Sequence, residues 1–310
     1  MHRLARAVAA LIRAPPSARR GIRAAVPSAR RRIRAAVPSA RRRIRAAVPS
    51  ARRGACAAVP YPLVLVILPP SETKSDGGDL GPLDLDALSL PQLSAVRDKL
   101  VTALIDLAGD PEASRAALSL GKGADAEIAR NAALRTAPTR PALERYTGVL
   151  YDALDAASFT AAQRAKAQAR LAIGSALFGV VRATDPIPAY RLSGGSKLPG
   201  CSTLAALWKP VLGPALREET VGQLTVDLRS GTYAQLGRIP GAVTATVLTE
   251  RPDGSRTVVS HFNKHHKGLL ARALVCSRAE PTDIAALARI AEKAGLQVEI
   301  ASSTELLVLT

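Results

Sequence analysis

Acidic residues and lysine are missing from the first 60 positions, which nevertheless hold 16 arginines. The whole-chain excess of 43 Lys and Arg over 25 Asp and Glu therefore says little about the rest, where 27 basic groups face 25 acidic ones. So small an excess over 250 residues does not by itself require a polyanionic partner. Any basic site in that part must come from local arrangement. Aromatics make up only 3% of the chain, so a core must be built mainly from Leu, Val, Ile and Ala. The three cysteines, Cys56, Cys201 and Cys276, form no CxxC and no metal-like spacing, which fits reduced thiols in a cytosolic protein. No apolar run reaches the ~20 residues of a membrane span. The most apolar, 55–68, is broken by Pro60 and Pro62, and 7–12 is too short for the centre of a secretory signal. A soluble, cytoplasmic protein with no membrane partner is expected.

The arginines fall in a tandem repeat. Pro16, Pro27, Pro38, Pro49 and Pro60 recur every 11 residues around the unit PSARRRIRAAV. Each proline lacks an N–H and disfavours helix in the residue before it, so no continuous helix through residues 1–60 is expected. One Ile and one Val per unit offer too little apolar area to pack. A disordered basic arm holding phosphates is one reading. The other, which is favoured, is translated repetitive DNA upstream of the true start. Met1 is the only methionine, so a shorter product would need a non-AUG start near Val59 or Val64.

Residues 61–310 are long enough for one large domain or two small ones. The run LVLVIL at 63–68 suits a strand buried on both faces, and it empties into Pro69, Pro70, Ser71, Glu72, Thr73 and Lys74. Helical spacing predicts helices over 91–107, 111–119, 125–134, 141–154 (interrupted near Tyr146–Gly148) and 160–177, the last with Thr160 as N-cap. The second half is more strand-like. Strands are expected near 176–181, 224–228 and 242–250, the last paired antiparallel with 257–262 across the Asp253-Gly254 turn. Helices over 204–211, 264–275 and 282–294 and a closing hairpin of 297–301 with 305–309 complete the pattern. The fold class is α/β, with α+β as the alternative, and a mixed sheet flanked by helices.

Unusual polar residues gather in 71–74, 182–191, 227–233 and 260–272, all following strands or apolar runs, so one sheet end could collect them. In the last segment Lys264, His265, His266, Lys267 and Arg272 crowd a helix start, where cations can bind phosphate. A metal site is not expected: His261 and His265 share a helix face only if both are helical, Phe262 reads as strand, and no HExxH accompanies them. No ligand set for iron and no GxSxG, P-loop or GxGxxG occurs, and no cofactor is expected. Leu120-Gly121-Lys122-Gly123, between two helical stretches, fits a helix-hairpin-helix, whose glycines let backbone N–H groups approach a phosphate. A plain interhelical turn would look the same.

LVILPPSETK at the first strand, YTG at 146–148, SALFGVVRATDPIPAYRL at 175–192, TLAALW at 203–208, VDLRSGTY at 226–233 and SHFNKHHKGLLARAL at 260–274 occur in that order. Together they resemble the YaaA family of bacterial peroxide-stress proteins over essentially all of 63–310, and nothing in 1–60 matches. The resemblance implies a cytosolic protein that limits free iron under hydrogen peroxide. It also implies a single compact domain with a helix-hairpin-helix and a positively charged, DNA-binding cleft. The cleft candidates it carries over are Lys74, Arg182, Tyr190, Arg191, Lys264, Lys267 and Arg272, with Gly121, Lys122 and Gly123 in the hairpin. Lys267 stands where many relatives carry arginine, which loses bidentate phosphate geometry. The expectation is a non-catalytic protein that contacts double- or single-stranded DNA through phosphates, without sequence preference. The alternative is an enzyme acting on a nucleotide or nucleic acid, with Glu72, Lys74 and Asp185 as candidate catalytic groups.

Overall fold

A computed structural model describes residues 64–251, 254–258 and 260–310. The expectations for residues 1–60 lie outside the described residues. Strand β1 (Val64–Leu68) is buried at all five positions, as an apolar run covered on both faces must be. Helices α1 (Ser94–Ala108), α2 (Pro111–Leu118) and α3 (Asp125–Ala132) follow it, and Asp110 caps α2 by accepting the Ala113 N–H at 3.0 Å. The short strand β2 (Arg140–Pro141) leads into α4 (Ala142–Arg145) and α5 (Val149–Leu154), with the expected break between them.

Helix α6 (Ala161–Arg170) begins on a capping box, the Thr160 hydroxyl accepting from Gln163 N–H while Gln163 reaches back to Thr160 N–H. It ends seven residues earlier than its Ala- and Leu-rich sequence predicts. From Leu171 the chain turns extended and forms β3 (Leu171–Ser175), pairing parallel to β1 with Val66 opposite Leu171. Tertiary pairing overrides helix propensity here. Within β3, a Cβ on Gly174 would stand 2.8 Å from the buried Arg229 side chain, so any larger residue there would force that side chain to shift.

Strands β4 (Gly179–Arg182) and β5 (Pro186–Ile187) precede α7 (Leu204–Glu219), which continues past its expected end through Pro210 and Pro214. Trp208 on α7 donates its indole N–H to Ala176 O at 2.8 Å. Then come β6 (Leu224–Asp227), α8 (Gly231–Ala234), β7 (Val243–Glu250) and β8 (Arg256–Thr257), which pairs antiparallel with β7 as expected. The partner strand is shorter than the sequence suggests, because α9 (Ser260–Cys276) already begins at Ser260 and takes in Phe262. The six residues Thr-Val-Val-Ser-His-Phe at 257–262 are too few for periodicity to separate a strand from a first helical turn. Helix α10 (Ile284–Lys293), capped by Asp283, and the hairpin of β9 (Gln297–Ser302) with β10 (Glu305–Leu309) close the chain.

The fold is mixed α/β, with an eight-stranded sheet among the described residues in the order β4-β3-β1-β6-β7-β10-β9, β8 hanging from β7. The five strands β3, β1, β6, β7 and β10 run parallel, and β4 and β9 are antiparallel to their neighbours. Two fully buried arginines tie loops to this core. Arg97 donates to Ser89 O and to Phe178 O and Val180 O beside β4, and Arg145 donates to Ile187 O and Gly77 O. No described helix is long and apolar enough to cross a membrane.

Candidate functional site

The chain leaves β1 toward β3 on one side and leaves β6 toward β7 on the other, although β1 and β6 are neighbours. Loops that part in opposite directions open a crevice beyond the carboxyl ends of the two strands, the usual ligand position in an open parallel sheet. A cleft of about 800 Å³ lies there. Its walls are the loops after β1 (69–73) and β6 (228–233), the start of α5, residues 193–195, and Asn263, Lys264 and Lys267 of α9.

The wall after β6 is fixed by a buried ion pair. Arg229 meets both carboxylate oxygens of Asp227 at 2.8 and 2.7 Å and donates a further hydrogen bond to Gly237 O at 2.8 Å. Lys267 reaches from α9 to donate to Leu228 O at 3.1 Å. Burial lowers its ammonium pKa, and the Asp227 carboxylate opposes that shift. Across the cleft Tyr233 accepts the Gly194 N–H at 3.1 Å, and burial raises its phenol pKa.

The loop after β1 rests on Lys74, which bridges to Tyr146 in an isolated antiparallel pair. The Lys74 ammonium donates to Ser71 O at 3.0 Å and Glu72 O at 3.3 Å, 4.2 Å from the centre of the Tyr190 ring. Below it runs a chain of hydroxyls, Tyr146 to Tyr190 at 2.8 Å and Tyr190 to Ser175 at 2.7 Å. Burial, with Arg191 nearby, pulls the Lys74 ammonium down to about 7. A lysine of ordinary pKa in the unfolded chain then binds more protons than the folded one between about pH 7 and 10.5, so stability rises with pH across that window. Lys74→Met should remove this rise. Unfolding free energies from denaturant titrations at pH 6 and 9 should show the difference between wild type and variant changing by about 3 kcal/mol in favour of wild type at the higher pH. A constant difference would mean the amine keeps its ordinary pKa.

The candidates divide. Lys264 and Lys267 line the cleft, as does Glu72, whose carboxylate pairs with Arg191 at 2.9 Å. Lys74 supports the loop from beneath. Tyr190, 1% exposed, belongs to the hydroxyl chain and does not line the cleft. Arg182 is turned to Ala169 O and, at 3.3 Å, to Glu219. Asp185 accepts from Ser89 Oγ at 2.7 Å and from Arg182 N–H at 2.9 Å, anchoring a loop away from Lys74. Arg272 donates to Leu154 O, Asp155 O and Ser158 Oγ. Gly121, Lys122 and Gly123 form an exposed turn between α2 and α3, outside the cleft lining. The cleft also uses Asn263 and the Gly194-Gly195 pair, which sequence reasoning missed. The only signal was the SGGS run, a loop where backbone can approach a ligand. Among the described residues no group of three or more His, Cys, Asp or Glu is placed to hold a metal. The His261 side chain lies outside the described residues.

Fold and site together define an α/β protein with a lysine- and hydroxyl-lined cleft at the carboxyl edge of a parallel sheet, suited to an anionic ligand. The chain belongs to the peroxide stress protein YaaA family, whose model matches residues 64–301, starting on the first residue of β1. A UPF0246 protein of Corynebacterium efficiens is 52% identical over 241 residues, covering 76% of this chain and 95% of the relative. A UPF0246 protein of Streptomyces coelicolor is 44% identical over 239 residues, covering 76% and 92%.

Proposed function

We propose that this member of the peroxide-stress family binds DNA through phosphate contacts in the cleft, without chemistry of its own, and limits free intracellular iron under hydrogen peroxide. The observation that carries the DNA reading is Lys264 and Lys267, three residues apart on one face of α9, beside a hydroxyl-lined cleft. Neither lysine is used up in an ion pair with a described carboxylate.

The test is the affinity of the full chain for an oligonucleotide across a salt series, against Lys264→Ala/Lys267→Ala. Each phosphate contact contributes about 0.9 to the slope of log K against log salt. Residues 1–60 contribute equally to both proteins, so the double variant should lower the slope by between 1 and 2. An unchanged slope and affinity would remove the cleft from DNA binding. The iron effect is tested by whole-cell EPR of chelated iron after peroxide, with lower signal expected when the chain is present; equal signals would refute it.

One observation supports a second reading, an enzyme acting on a nucleotide. Glu72 lines the cleft and pairs with Arg191 behind it, and Lys74, whose lowered pKa suits a general base, holds the same loop from beneath. Asp185 is not part of that group. Release of product from a nucleotide or oligonucleotide, lost in Glu72→Gln, would favour this reading over pure binding.

A further inference from the structure

The two edges of the sheet are finished differently. At one, β4 is short and mostly buried, and the Arg97 guanidinium occupies the carbonyls of Phe178 and Val180. At the other, β9 pairs only with β10, and among the described residues nothing bonds the outward backbone groups of Gln297–Ile300. An uncovered edge is a template for another strand, and natural sheets commonly blunt it with lysine or proline. The β9 sequence, Gln-Val-Glu-Ile-Ala-Ser, has neither. Its bulge falls at Ala301, next to the hairpin turn, so Gln297–Ile300 keeps a regular register. Val298 packs on the core, and alternation puts Ile300 on the same face, where it is 48% exposed.

The order of residues in β9 suits a second copy of the same strand. Paired antiparallel about Val298, the apolar face meets itself: Val298 faces Val298, and Ile300 lies diagonally beside the other copy's Val298. On the opposite face Gln297 meets Glu299 twice. An amide N–H there stands opposite a carboxylate that keeps lone pairs beyond those Arg256 occupies at 2.7 and 3.0 Å. Centred one residue later, the pairing would set Glu299 against Glu299, and one further on it would run into the Ala301 bulge.

We propose that β9 is a self-association edge, where two copies of this chain pair strand to strand about a two-fold axis beside Val298. That axis sets the parallel strands of the two copies antiparallel, so their clefts open at opposite edges of the joined sheet. The paired stretch, 296–300, is about 17 Å long. Such a contact falls below the ~1,200 Å² of a stable complex, so the dimer is weak, with Kd on the order of 100 μM.

Sedimentation velocity of the full chain from about 10 μM to 1 mM, at an ionic strength that screens its net charge of +18, reads the equilibrium. Monomer and dimer should exchange reversibly. Two variants add the same lysine charge to the same edge and should act oppositely. Ile300→Lys removes the apolar contact and should weaken the dimer at least tenfold. Gln297→Lys should tighten it about two- to tenfold, because each new ammonium meets Glu299 of the other copy. Both positions are exposed, so unfolding midpoints should stay where they are. A monomer at every concentration, which would leave the edge to an extended segment of another protein, would overturn the inference. So would a dimer unmoved by Ile300→Lys or weakened by Gln297→Lys.

Discussion

Arg229→Ala should lower the unfolding free energy by about 3–5 kcal/mol, because it strands the Asp227 carboxylate without its partner in a site from which water is excluded. The Arg229 side chain is 1% exposed and that of Asp227 8%, so solvent cannot replace the lost guanidinium. The substitution also removes the hydrogen bond to Gly237 O and leaves a gap where the Arg229 stem packs on Gly174. Urea unfolding followed by circular dichroism measures the loss. Replacing both partners, Asp227→Leu with Arg229→Met, should recover a large part of it, since an apolar pair carries no buried charge. A loss below 1 kcal/mol in the single variant would show that water reaches this pair.

Gly268→Val should be as severe. A Cβ on Gly268 would run into the Leu150 carbonyl and stand 2.8 Å from the Ala153 side chain, so α5 and α9 can meet only at glycine. Backbone cannot yield as a flexible side chain does, and about 3 kcal/mol or more of destabilisation follows. Gly268→Ala should show most of the same effect. The consequence reaches the cleft, because α5 and α9 supply Val149–Leu150–Tyr151 on one side and Asn263, Lys264 and Lys267 on the other. Gly268→Ala stable to within 0.5 kcal/mol would mean that the two helices separate at little cost.

Much of this architecture can be read from residues. The LVLVIL run announces a strand covered on both faces, Thr160 with Gln163 announces a helix start, and the closing hairpin follows from its alternation. The misreadings have a common physical cause. Leu171–Ser175 is helix-compatible by composition and becomes a strand only through pairing with β1, which lies more than 100 positions earlier. The start of α9 cannot be read from residues because the few residues around Ser260 are too short a window to establish either period. At the site, sequence order suggests that every polar loop following a strand contributes. The parallel strands do deliver the loops after β1 and β6 to one edge. β4, however, runs antiparallel to β3, so Arg182 and Asp185 at its end are carried away from that edge. Charge alone also misleads. Arg272 and Arg182 look like phosphate ligands in the sequence, yet their guanidinium groups are taken up by backbone carbonyls. Lys267 likewise donates to Leu228 O but has further N–H groups, and with the exposed Lys264 it supplies the cleft's lysines among the described residues.

Hydrogen–deuterium exchange of the full chain, with and without a saturating oligonucleotide, tests the central claim most directly. Binding in the cleft predicts slowed exchange in three separate stretches, 70–73, 228–233 and 263–268, which meet only in the folded protein. Slowed exchange confined to residues 1–60 or to the Gly121–Gly123 turn, with those three stretches unchanged, would contradict it.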